Sequence, residues 1–262
     1  MTRLDVDLRR TIAVVTLNRP EVHNAFDQAL VRELTAVLKR LERDVTVRAV
    51  VLAGAGKSFC AGADLNWMRE MATFSRAQNL ADAGALARML DTLNRLSKPT
   101  IARVHGAAYG GGVGLVACCD VAFGAAEASF ALSEGRLGLI PATVGPYVID
   151  AIGARAARRY FLTGERFDAQ EACRLGLLHD LAPLPELDAR INDVLGALLI
   201  TGPVAQAESK DLIRAVARRP IDGRLIAGTA RRIARVRASP EAREGIAAFL
   251  GKRKASWVPQ GE

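Results

Sequence analysis

Apolar and polar positions alternate along this chain in blocks with two different periods. Thr11-Ile-Ala-Val-Val-Thr-Leu17 is a β-branched run that reads as a strand, closed by the turn cluster Asn18-Arg19-Pro20-Glu21-Val22-His23-Asn24. From Phe26 onward Ala29, Leu30, Leu34, Val37, Leu38 and Leu41 recur at helical spacing, with Asp27 placed to cap the first turn. Arg48-Ala-Val-Val-Leu-Ala53 is a second buried strand. A helical stretch follows, with Leu80, Leu86, Met89, Leu90 and Leu93 expected on one side. The apolar run between Pro99 and Gly106 again has the length of a buried strand, and Leu115-Val-Ala-Cys-Cys119 that of a short buried helix. Val121–Ala125 and Ala128–Ala131 read as short strands, and beyond Pro141 the pattern is mostly helical to the end. Strands alternating with helices, then a helical tail, predict an α/β fold of parallel layers joined by crossovers. No solenoid-period repeat and no low-complexity linker interrupts it.

The junction between the strand before Gly106 and the helix at Leu115 carries chemistry. Gly110-Gly111-Gly112 leads into the helix, where backbone N–H groups have no intrahelical acceptor. Glycines there let a ligand approach the main chain, so the spot can hold a developing negative charge. Other motifs fail on spacing. Gly54-Ala-Gly56-Lys57-Ser58 lacks the gap of a phosphate loop, and Gly-Gly-Gly-x-Gly is not the dinucleotide fingerprint. Ser58, Ser133, His23, His105 and His179 form no nucleophile elbow or triad order, and turn or core roles are expected for the histidines.

Composition narrows the field. Half of the 262 residues are hydrophobic and 24% are charged, as in ordinary globular proteins. Cys60, Cys118, Cys119 and Cys173 lack metal-ligand spacing and read as core thiols in a reducing compartment. The N-terminal residues show no apolar signal region and no apolar run reaches membrane-span length, giving the expectation of a cytoplasmic protein. Residues 208–254 carry 13 Lys and Arg against 5 Asp and Glu, an excess equal to the whole net charge of +8. These arginines are interleaved with Leu, Ile, Val and Ala and have almost no aromatics among them. That pattern fits a solvated or subunit-contacting helical surface first and a phosphate-bearing ligand second, and no nucleic acid is expected.

Three motifs taken together resemble the enoyl-CoA hydratase/isomerase (crotonase) family. They are Phe59-Cys-Ala-Gly-Ala-Asp-Leu65, Gly106-Ala-Ala-Tyr-Gly-Gly-Gly112, and Ser133-Glu134-x-Arg136-Leu-Gly-Leu-x-Pro141. Leu17-Asn-Arg-Pro20, Asn24-Ala-Phe26, Lys98-Pro99-x-Ile101-Ala102 and Leu162-Thr-Gly-Glu165 follow in the family's order. The resemblance implies a spiral of ββα repeats over about residues 1–200 and a helical C-terminal region, 201–262, that assembles homotrimers or dimers of trimers. It also implies an acyl-CoA thioester as ligand, with coenzyme A arriving as part of the substrate and no separate cofactor or metal. By family pattern the N–H groups of Ala63 and Gly111 form an oxyanion hole and Glu134 is the acid/base. Val22, Ala61 and the Ala63 carbonyl resemble the adenine site, with Asp64, Leu65, Gly110 and Gly114 continuing the binding loops. Lys57 and part of the basic tail are given a phosphate-binding task.

Family hydratases usually carry two glutamates around a water, and the first of these falls on Gly114. Three readings therefore stand: hydration of a 2-enoyl-CoA with Glu134 largely alone, Δ3,Δ2-enoyl-CoA isomerisation by the same carboxylate, or binding of CoA or a partner without turnover. The wording around Gly111–Asp120, Phe130–Ala142 and Pro146–Ala169 is similar to bacterial methylglutaconyl-CoA hydratases of leucine degradation, which favours the first. Arg69 and Arg136 are the candidate cations for the distal carboxylate of such a substrate.

Overall fold

A computed structural model describes residues 2–259, which divide into two compact units. The first holds residues up to 192 except Ser97–Pro99; the second holds that tripeptide and the residues from 193 onward.

The first unit is built on a spiral of strands. β1 (Leu4–Arg9) pairs antiparallel with β2 (Ile12–Leu17), and β2 then runs parallel to β3 (Ala49–Gly54). The gap between β2 and β3 is bridged by α1 (Gln28–Arg43), whose Leu30, Leu34, Leu38 and Leu41 are buried at helical spacing. Asp27 caps it, accepting the Leu30 N–H at 2.7 Å, as the sequence predicts. After α2 (Leu65–Met71) and α3 (Arg76–Asn94) the chain enters β4 (Thr100–Val104), β5 (Ala107–Tyr109) and α4 (Gly111–Cys118). The next turn repeats this with β6 (Val121–Ala125), β7 (Ser129–Ala131) and α5 (Gly145–Thr163). β8 (Arg166–Asp168), α6 (Ala169–Leu175) and β9 (Asp180–Ala182) complete two sheets, ordered β1-β2-β3-β4-β6-β9 and β5-β7-β8. The β4–β5–α4 and β6–β7–α5 turns thus each give one strand to each sheet before their helix.

The chain differs from the pattern in four ways. α4 begins four residues earlier than its apolar run, inside the glycines, because Gly110 ends the preceding strand with a positive φ. Leu80 is exposed rather than on the buried side of α3, whose core contacts come from Met89, Leu90 and Leu93. The three-residue strands β5, β8 and β9 are too short for any period to show. α5 is broken at Gly153, which takes φ 74° and ψ 156°.

In the second unit α7 (Leu187–Ile200), which begins in the first, leads to α8 (Pro203–Val216), α9 (Gly223–Arg237) and α10 (Pro240–Leu250). Glu241 accepts the N–H groups of Val204 and Ala205 at 2.9 and 2.8 Å, filling orphan donors at the start of α8. Lys210 Nζ donates to the Lys98 carbonyl at 3.0 Å, which ties the Ser97–Pro99 strap into this unit. Arg214, Arg235 and Arg253 pair with Asp211, Glu208 and Glu244, so part of the basic excess is matched locally. Among the described residues no helix is long and apolar enough to cross a membrane.

One buried side chain fastens the turn after β2 to the loop after β3. Asn24, fully buried with φ 58°, accepts the Arg19 N–H at 2.9 Å and donates to the carbonyls of Ala55 and Ser58 at 2.8 and 2.7 Å. Asn24→Ala is expected to cost about 3 kcal/mol, the sum of three buried hydrogen bonds at roughly 1 kcal/mol each. Urea unfolding of the two proteins measures it.

Candidate functional site

The loops after β3 and β4 lie side by side. Phe59 N–H donates to His105 O at 2.9 Å, Cys60 N–H to Ala107 O at 3.0 Å, and Tyr109 N–H to Cys60 O at 2.9 Å. Residues 59–60 thus pair along β5 as a rudimentary parallel strand. Each loop then turns on a glycine with positive φ, Gly62 at 94° and Gly110 at 49°. A Cβ at Gly62 would sit 3.1 Å from Tyr109 O, so a side chain there would force the loops apart.

The residues after those glycines are Ala63 and Gly111. Phe26 N–H donates to Gly62 O at 2.7 Å and Asp64 N–H to Phe26 O at 2.8 Å, so Phe26 pairs along this segment and the Ala63 N–H turns to the opposite side. Gly111 opens α4 and its N–H precedes any intrahelical acceptor. Among the described residues neither N–H has a hydrogen-bond partner. Ala63 is exposed and Gly111 half-buried.

Glu134 completes the group. It follows β7 in a short 3-10 turn, and its Oε1 lies 3.1 Å from the position a Cβ would take on Gly110. Oε2 is buried with no hydrogen-bond partner. Burial raises the carboxyl above its ordinary pKa, opposed only by its own backbone N–H. Two unengaged donors beside a carboxylate that gives and takes a proton readily can polarise a carbonyl and move a proton on the neighbouring carbon.

The remaining predicted residues fall into two groups. Val22 ends a short 3-10 turn, and Ala61 N–H donates to the carbonyl of the next residue, His23, at 3.0 Å, so Val22 and Ala61 border the same loop. Lys57 and Leu65 are exposed, on the approach to that loop and at the first position of α2. Asp64, in contrast, is buried and its carboxylate is taken up within the protein. Its Oδ1 accepts Asn66 N–H at 2.8 Å, capping α2, and its Oδ2 accepts Arg19 Nη2 at 2.8 Å. Burial works to raise its pKa, but those two contacts outweigh it and the value is lowered. The Asp64 carboxylate thus shapes the loop in which this residue lies.

Gly114 also departs from expectation. It is buried, and a Cβ there would collide with Val144 Cγ1 and lie 3.5 Å from Leu90. The space that a second acid would need holds a valine, so Gly114 is a close-packed position. Arg69 is hydrogen-bonded to Asn66, and Arg136 lies against Gly164, with its Nε 3.2 Å from where a Cβ would be. The histidines take local roles: His23 meets Ser58 Oγ, His105 meets Gly56 O, and His179 accepts Ala122 N–H.

Phe26, Arg19 and Val144 were not singled out by sequence reasoning. The first two belong to the quoted Asn-Arg-Pro and Asn-Ala-Phe motifs, whereas nothing in the sequence marks Val144. A cavity of about 500 Å³ bordered by Arg32, Trp67 and Phe74 includes none of Ala63, Gly111 and Glu134. Among the described residues no cluster of His, Cys, Asp or Glu could hold a metal ion.

Known proteins share this arrangement of chain. The Enoyl-CoA hydratase/isomerase family model matches residues 7–260. The crystal structure of an enoyl-CoA hydratase from Shewanella pealeana superposes with a TM-score of 0.95 at 45% identity, covering 98% of this chain and 96% of that one. The short-chain-enoyl-CoA hydratase of Clostridium acetobutylicum is 32% identical over 246 residues, 93% of this chain and 92% of its own. The hydroxycinnamoyl-CoA hydratase-lyase of Pseudomonas fluorescens is 36% identical over 208 residues, 78% and 75% of the two chains. On a match spanning nearly its whole length, and with the crotonase fold in hand, the chain belongs to the enoyl-CoA hydratase/isomerase family.

Proposed function

We propose that the protein adds water to a 2-enoyl-CoA thioester, with 3-methylglutaconyl-CoA as the substrate. The observation that carries the reaction class is the convergence of the Ala63 and Gly111 N–H groups with the Glu134 carboxylate around Gly62 and Gly110. The thioester oxygen accepts from both N–H groups as negative charge builds on it. Each such donor is worth about 3 kcal/mol in the transition state. Glu134 holds the water, takes its proton as oxygen bonds to Cβ, and returns a proton to Cα. The choice of acyl group rests on the likeness of the Gly111–Asp120 and Phe130–Ala142 segments to methylglutaconyl-CoA hydratases. Exposed Lys57 is assigned to the CoA phosphates, and the exposed apolar residues Ile221, Ile226, Ile246 and Phe249 of the second unit support assembly into trimers.

One observation favours a second reading. With Val144 filling the space beside Gly114, Glu134 has no second acid at that position, and one carboxylate suffices to carry a proton between carbons in Δ3,Δ2-enoyl-CoA isomerisation.

Purified protein given 3-methylglutaconyl-CoA, crotonyl-CoA and a 3-enoyl-CoA is expected to hydrate the first fastest, followed by loss of the absorbance of the double bond conjugated with the thioester. Turnover of the 3-enoyl substrate alone would establish the isomerase instead.

The raised pKa of Glu134 makes a second prediction with a definite sign. Folding favours its protonated form, so that stabilisation is complete below the ordinary carboxylate range and is lost as pH rises through the raised value. Glu134→Gln is therefore expected to lower kcat by about 10²–10⁴-fold. The same change raises the unfolding temperature at pH 7 relative to the parent protein, with a smaller difference at pH 4. As a base, the parent carboxylate loses activity when pH falls through that same raised value. Parallel pH–rate and melting curves check both.

A further inference from the structure

Both proposed oxyanion donors touch one residue that takes no part in the chemistry. Phe26 pairs through its backbone on either side of Ala63, accepting from Asp64 N–H and donating to Gly62 O. Its ring fills the space beside the other donor. A Cβ on Gly111 would meet Phe26 Cε2 at 2.5 Å and Cδ2 at 2.7 Å. The ring is therefore packed against the first turn of α4, and the side chain is 1% exposed. One rigid residue spans the distance from one donor to the other.

The segment carrying Phe26 is itself held on both flanks. Arg19 Nη1 donates to Ala25 O at 2.6 Å and lies 3.2 Å from Asp27 Oδ2, while Arg19 Nη2 reaches Asp64. The Arg19 guanidinium thus sits between the capping carboxylates of α1 and α2, with side chains 14%, 20% and 6% exposed for Arg19, Asp27 and Asp64. Asn24, two residues before Phe26, is anchored to the carbonyls of Ala55 and Ser58. A planar ring has only two rotatable bonds, and neither the backbone pairing nor the packed glycine leaves it room to shift.

The geometry points to Phe26 as the positioning residue that sets the separation and relative direction of the Ala63 and Gly111 N–H groups. This rests on the oxyanion reading of those two groups. Phe26 contacts no substrate; it acts through the two donors. A smaller, non-planar side chain leaves the backbone pairing in place but lets the start of α4 move toward the loop at Gly62. Donors aimed at a developing oxyanion tolerate about 0.5 Å of displacement before the interaction weakens.

The test uses Phe26→Leu, with Leu34→Ala as a core-destabilised control on α1, and 4-(dimethylamino)cinnamoyl-CoA as a chromophoric probe. Its absorption moves to longer wavelength when its thioester carbonyl is polarised. Phe26→Leu is expected to bind the probe with affinity within about threefold of the parent but with a reduced red shift. Its kcat should fall about 10–100-fold with little change in KM, as for a displacement of roughly an ångström. Leu34→Ala should keep the full red shift while melting lower. Should the leucine variant not fold, Phe26→Met gives the same readout. A full red shift and unchanged kcat in the Phe26 variant overturn the inference, as does an equal loss in the Leu34 control. A parent protein that binds the probe with no red shift overturns the oxyanion reading itself, and the inference with it.

Discussion

Two backbone N–H groups held without acceptors are the constraint on which the rest of this site depends. A free donor at Ala63 or Gly111 forgoes the hydrogen bond that nearly every other backbone group in a fold obtains. Such groups stay unpaired only when their neighbours are fully committed elsewhere. Here the neighbours are committed: Gly62 O and Asp64 N to Phe26, Gly110 N to Ala131 O at 2.8 Å, and Cys60 to both sides of Ala108. The ββα spiral supplies that commitment by bringing successive turns of chain alongside one another at the same level.

The same scaffold leaves Glu134 Oε2 without a partner while both oxygens of Asp64 are engaged. Asp64, which is buried, receives Arg19 and a helix N–H and is held ionised. Glu134 has neither, and its Oε2 is left bare. Two acids on adjoining loops therefore take opposite electrostatic fates, set by whether the fold supplies a partner. The difference separates the acid that organises the loop from the one available for proton transfer.

The long, strongly periodic elements were legible in the sequence. α1 with its Asp27 cap, β2, β3, β4 and β6 follow from apolar spacing and punctuation, because tertiary packing there agrees with local preference. The short strands of the second sheet were not, since three residues carry no period and exist only through pairing with distant chain. Ala63, Gly111 and Glu134 could be named from motifs, and the structure brings them together. What motifs could not give is the company they keep. That Phe26 reaches both loops, that Arg19 spans two caps, and that Val144 packs on Gly114 are contacts between residues from 8 to 85 positions apart in the chain.

The packing of Val144 on Gly114 has a bearing on how this site can change. A glutamate at 114, introduced into the present chain, meets a buried β-branched side chain with no path to yield, because Val144 is itself enclosed beside the start of α5. A smaller residue at 144 disturbs only a local void and leaves the donors and Glu134 untouched. The two substitutions are therefore ordered: contraction at 144 opens the way for an acid at 114, while the reverse order passes through a steric clash between the two side chains. One-acid and two-acid versions of this site are separated by a sequence of steps, not by a single exchange of side chains.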